Sequence, residues 1–181
     1  AQQVQSLPQK LKSSFDPILG PVITKNVREG DKASIAKHIG QVGFWIIAAQ
    51  AGIALALGIT GEGVMGLLGG DFVGGTGALI LLLIAEVAAA TAVVSESALI
   101  YLSRHRNLLI SLSMLAVQAV LSVLLIYAVD YLKLEPRARG LFQAAAVAMA
   151  LCLSLGLSSL LKIRLLERLL GVRVSIWRGA L

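Results

Sequence analysis

Charge is scarce in this sequence. Only 14% of its 181 residues are Asp, Glu, Lys or Arg, and the mean hydropathy is +0.83. A soluble globular domain carries about a quarter charged residues, so this chain lacks the polar surface that water would require. Cysteine is nearly absent as well. Cys152 is the single one and lies inside an apolar run, which excludes a disulfide framework and a cysteine metal cluster. Aromatics make up 5% and are not interleaved with the 16 Lys and Arg residues, so the net charge of +6 does not describe a nucleic-acid surface. The basic residues lie between apolar runs, where a membrane accounts for their placement. No GxSxG, HExxH, CxxC, P-loop or dinucleotide fingerprint occurs. With two histidines, His38 and His105, no catalytic triad can be assembled. The expectation is a membrane protein that is not an enzyme and uses no cofactor or metal.

What is present is a set of long apolar runs. The longest covers residues 76–101 and is stopped by the cluster Arg104-His105-Arg106. At about 1.5 Å per residue it is long enough to cross a hydrocarbon core of roughly 30 Å. Glu86 falls near its midpoint and Glu96 nearer its end. An acid at mid-depth costs at least about 2.5 kcal/mol, so Glu86 is not expected to face lipid. It is read as marking a pathway or relay, with bonding to Gln50 or Gln118 as the structural alternative. Glu96 is expected to snorkel or to bond to neighbouring serines.

Further spans are expected at residues 2–24, 42–60, 107–129 and 140–161, giving an all-α polytopic bundle of about five crossings. The first is unusual. Gln5, Gln9, Lys12 and Asp16 recur on one helix face while Leu7, Leu11 and Ile18 share another, and Pro8, Pro17 and Pro21 break the ladder. Such a helix either lines a cavity or lies flat at the interface. Residues 25–41 read as a polar loop, and residues 61–77 as a glycine-rich loop with a short apolar insert. The brief connection at Ser103-Arg104-His105-Arg106 makes the third and fourth spans an antiparallel hairpin. From Lys162 onward, Leu pairs alternate with Lys162, Arg164, Arg168 and Arg173, which reads as a basic amphipathic tail (residues 162–181) resting on an anionic leaflet.

Basic residues also set an orientation. Residues 25–41, the 103–107 turn and the tail together carry eleven, and the opposite connections carry three. That asymmetry places the first loop, the hairpin turn and the C-terminus in the cytoplasm. The chain opens abruptly in a helical pattern without an initiating Met or a signal-peptide pattern, so it is expected to be the later part of a longer protein.

Two stretches carry a family resemblance. SFDPILGPVITKNVREGDKASIAKHIGQV, with Pro21 followed by Glu29-Gly30-Asp31, is similar to a segment in the C-terminal half of polysaccharide and lipid-linked oligosaccharide flippases of the multidrug/oligosaccharidyl-lipid/polysaccharide exporter superfamily. GLLGGDFVGGTGALILL, with Leu67-Leu68-Gly69 and Phe72, resembles a turn between two later helices of that family. The resemblance covers roughly residues 1–165. It implies two pseudo-symmetric lobes around a cavity that alternates between leaflets, with the N-terminal helices of the transporter as partners of this chain. It also implies a substrate, an oligosaccharide on a polyprenyl diphosphate, moved across the bacterial inner membrane in surface polysaccharide or lipopolysaccharide synthesis. Lys10 and Lys12, with Gln5 and Gln9, are then candidate substrate contacts, and Glu86 or Asp16 the candidates for ion coupling. A cation-coupled drug exporter of the same superfamily and a non-transporting assembly subunit remain alternatives.

Overall fold

The computed structural model describes residue 25 and residues 30–174, and these are all-helical, with no strand. Helix α1 (Lys32–Ile59) is followed by a short α2 (Gly61–Leu68), a 3-10 turn (Gly70–Gly75), a 56-residue α3 (Thr76–Tyr131) and α4 (Pro136–Leu170). The expected first span, with Gln5, Gln9, Lys10, Lys12 and Asp16, lies outside the described residues.

Helix α1 begins earlier than the expected end of the polar loop at residue 41. Asp31 caps it, accepting from the Ser34 backbone N–H at 3.0 Å and from Ser34 Oγ at 2.7 Å. Those two donors hold the Asp31 carboxyl below its usual range. The polar stretch is helical because its apolar members share a face. Ile35, Ala36 and Ile39 are buried while Lys37 and His38 stay exposed. The expected glycine-rich loop likewise contains structure. Its insert VMGLL forms most of α2, which ends at Gly69, whose φ of 135° suits glycine and strains other residues.

Helix α3 is two arms. Ser103 alone inside it is non-helical, separating residues 76–102 from residues 104–131. A straight helix of this length would put its ends about 80 Å apart, yet both ends meet the same turn of α4. Gly74, just before the first arm, packs so closely on Leu141 that an added Cβ would lie 2.7 Å from it. At the end of the second arm, Asp130 accepts from Arg139 Nε and Gln143 Nε2, each at 2.8 Å. The chain therefore folds back at Ser103, as a hairpin with a turn shorter than the sequence suggests.

Helix α4 lies along both arms, and this is the dominant packing of the molecule. Ser159 Oγ donates to the Ala88 carbonyl and Lys162 Nζ to Glu96 on the first arm, while Ser154 Oγ donates to the Met114 carbonyl on the second. Helix α4 thus runs parallel to the first arm and antiparallel to the second. Helix α1 runs antiparallel to the first arm. Gly58 lies against Leu83 and Gly61 against Thr76 at one end, and Ile35 and Ile39 pack with Val94, Ala98 and Leu99 at the other.

Three helices, α1, α3 and α4, are long and apolar enough to cross a membrane. Their outer faces expose Leu108, Leu112, Leu115, Val120 and Leu124 on α3 and Leu153, Leu157 and Leu160 on α4. A row of that extent is what hydrocarbon covers, and the molecule is membrane-embedded in character. The tightest core lies at one end, where Ile35, Ile39, Leu99, Leu166 and Leu170 are nearly inaccessible.

That core revises the reading of the tail. Residues 162–170 continue α4 without a break, and Lys162, Leu166 and Leu170 fall on one buried face. The amphipathic pattern is real, but its apolar side packs on α1 and the first arm of α3. Lys32 Nζ donates to the Leu169 carbonyl at 3.3 Å, so the start of α1, the Ser103 turn and the end of α4 share one end of the bundle.

Two outcomes follow from this packing. Leu166→Ala, at a site with 0% exposure, should lower unfolding stability by about 2–5 kcal/mol, whereas Leu160→Ala, at 55% exposure, should be close to neutral. Thermal denaturation of the purified protein compares them, and equal losses would contradict the core. Topology reporters fused after His105 and after Gly171 should register the same compartment, with a fusion after Gly69 in the opposite one. A split between the first two would refute the fold-back at Ser103.

Candidate functional site

Among the described residues, the first arm of α3 carries the acids Glu86 and Glu96, and the helical period decides what each meets. Glu86, Ala89, Val93, Ser97 and Ile100 recur at three- and four-residue steps, forming a stripe that is half-buried to exposed. Glu86 stands about ten residues into the arm. Among the described residues it makes no hydrogen bond and no ion pair. The structural alternative, a bond to Gln50 or Gln118, is not formed. Gln50 is buried on α1 with its Oε1 unpartnered, and Gln118 is half-buried on the second arm.

Glu96 has a different fate. Its Oε2 sits 3.1 Å from Lys162 Nζ, with the two side chains 32% and 6% exposed. The expectation that it snorkels or bonds to serines is corrected by this pair. Ser95 and Ser97 instead donate to carbonyls of their own helix, those of Thr91 and Val93. A lysine this buried requires a counter-charge, and Glu96 is the acid at its depth. Around this level the buried polar groups gather: Ser95, Ser158, Ser159 and Lys162, together with Asn107, whose Oδ1 has no partner. Asn107 shares the level because the Ser154–Met114 contact sets the register of the second arm against α4.

Lys162 is the residue that sequence reasoning assigned wrongly, to a surface tail. The signal was available in the spacing, because Lys162 stands four residues before Leu166 and eight before Leu170, on their face rather than with Arg164 and Arg168. Of the expected site residues the structure places Glu86. Lys10, Lys12, Gln5, Gln9 and Asp16 lie outside the described residues. Among the described residues no cluster of three metal-ligating side chains occurs.

An apolar groove of about 700 Å³ separates α1 from the first arm, lined by Ala51, Leu55, Ile59, Ile80, Ile84 and Val87 among others. Ile80, Ile84 and Val87 occupy a different face of the arm from Glu86, so groove and acid do not form one pocket. The arrangement offers two kinds of chemistry: a satisfied charge pair that ties helices together, and a single carboxyl with unused bonding capacity. Comparison with protein family models, with curated proteins and with solved structures returns no match for this chain.

The pair makes a sharp stability prediction. Glu96→Gln leaves the Lys162 ammonium buried without its counter-charge and should cost about 3–5 kcal/mol. Replacing both partners with apolar residues, Glu96→Leu with Lys162→Met, should restore most of that loss. A double-mutant cycle on thermal unfolding measures the coupling, and additive losses would show that the two do not interact.

Proposed function

We propose that this chain is part of a polytopic membrane transporter in the bacterial inner membrane, with its basic end in the cytoplasm. Its cargo is a polyprenyl-diphosphate-linked oligosaccharide, flipped between leaflets during surface polysaccharide synthesis, as the flippase-like stretches imply. The observation that carries a transport role is Glu86, an acid near the middle of a membrane-length arm that no described residue engages. Ionisable groups held within spans mark ion or substrate pathways, because a carboxyl there is too costly to keep without use. Glu86 is half-buried, and the bonding capacity of its carboxyl is open to further helices of a two-lobed transporter. An assembly subunit, the competing reading, would need Glu86 tied into its own bundle, as Glu96 is. The basic bias between the two ends supports the orientation.

A single substitution separates the readings. Glu86→Gln keeps the size and hydrogen-bonding shape of the side chain and removes its charge. In cells producing the whole transporter, this variant should leave expression and melting temperature unchanged while reducing glycolipid export by an order of magnitude. Normal export by Glu86→Gln would remove Glu86 from the transport cycle. Loss of stability together with export would instead assign it to packing.

A further inference from the structure

The C-terminal end of α4 and the turn after it hold three arginines that form no ion pair among the described residues. Arg164 and Arg168 are four residues apart on one exposed face, and the chain then turns back through Gly171, whose φ of 70° permits the left-handed cap. That turn is fixed at two points. Gly171 N–H donates to the Glu167 carbonyl at 2.8 Å, and Val174 N–H donates to Glu167 Oε1 at 3.1 Å while Val174 is buried in the core. Arg173 is thereby brought back toward Arg164 and Arg168, and the three line a cleft of about 300 Å³ with Glu167, Gly171 and Val172. Glu167 is occupied by Val174. Three guanidinium groups against one carboxylate leave two net positive charges in the cleft. None of the three arginines has a hydrogen bond or ion pair among the described residues. The negative end of the α4 dipole favours cations here, which explains arginine at this end but not three converging on one cleft.

The same helix face identifies the ligand. Leu153, Leu157, Leu160, Arg164 and Arg168 succeed one another at steps of four, three, four and four, and the three leucines are 54%, 43% and 55% exposed. From Leu153 to Arg164 is about 16 Å of helix, close to half of a bilayer's hydrocarbon thickness. An apolar stripe one leaflet deep ends at a cationic cleft on the interface, which is the shape of a phospholipid.

We infer that Arg164, Arg168 and Arg173 bind the phosphate headgroup of an anionic membrane phospholipid, whose acyl chains lie along the leucine stripe of α4. Planar guanidinium forks suit phosphate oxygens in paired hydrogen bonds. This site does not depend on the transport reading, since Glu86 lies on another helix and at another depth.

The test uses the purified full chain and phosphatidylglycerol as the probe, with binding read by native mass spectrometry against phosphatidylcholine. The wild type should prefer phosphatidylglycerol. The triple variant Arg164→Gln/Arg168→Gln/Arg173→Gln should weaken that binding at least roughly tenfold. Lys37→Gln/Arg104→Gln/Arg106→Gln, which removes the same charge from exposed positions at the same end, should change it far less. Arg164→Lys/Arg168→Lys/Arg173→Lys keeps the charge and loses the forks, so it should bind more weakly than wild type. Equal weakening by both Gln triples would mean a diffuse field and overturn the site, as would wild-type affinity in the Lys triple. Absence of a preference for phosphatidylglycerol would also overturn it. If inorganic phosphate at equal concentration displaced the lipid, the cleft would be a site for a soluble anion and the lipid assignment would fail.

Discussion

In a bilayer the hydrophobic effect no longer drives helices together, because lipid tails are as apolar as leucine. What holds this bundle in register is a short list of polar contacts made by α4. Ser154 reaches the Met114 carbonyl, Ser159 the Ala88 carbonyl, and Lys162 the Glu96 carboxylate. Each of these bonds satisfies a polar group that hydrocarbon would leave stranded, and each links α4 to a different place on α3. Together they require both arms of α3 to lie beside α4, so the fold-back at Ser103 is enforced by contacts distant from the turn. The turn itself contributes one non-helical residue in extended backbone. Small residues along the arm, Ala85, Ala88 and Ala92, let α4 approach closely enough for a serine hydroxyl to reach a helix carbonyl.

Much of this was legible in the chain. The apolar runs at 76–101, 107–129 and 140–161 fall inside helices, as does the run at 42–60 up to its cap Thr60, because a run of that length has few other ways to satisfy its backbone. The hairpin followed from a connection too short for anything else, and the grouping of basic stretches at one end from their distribution. Helix boundaries were less legible. The polar composition of residues 32–41 suggests a loop, yet Ile35, Ala36 and Ile39 form a buried seam within it. Composition averaged over a stretch hides a face, and helical period reveals it. The same error placed Lys162 in a surface tail, where counting charges obscured the register that Leu166 and Leu170 set. Contacts between distant segments, such as Lys162 with Glu96, depend on helix rotation and offset, which periodicity in one segment does not determine.

The two acids of the first arm show how little separates a structural charge from an available one. Glu86 and Glu96 are ten residues apart, about 15 Å along the helix and about 80° apart around it. That rotation turns Glu96 toward α4, where Lys162 neutralises it, and leaves Glu86 half-buried with no hydrogen bond or ion pair among the described residues. Glu96 is bound into the bundle together with the polar groups at its level, so its charge is spent on holding two helices. Removing the charge of Glu96 would leave a lysine uncompensated, and the consequence would be structural. Removing the charge of Glu86 strands nothing among the described residues. The described bundle gains no hydrogen bond or ion pair from an acid so placed, and a mid-depth carboxyl has a cost in any bilayer. An acid that contributes nothing to the described bundle and carries that cost is best accounted for by what it meets outside it.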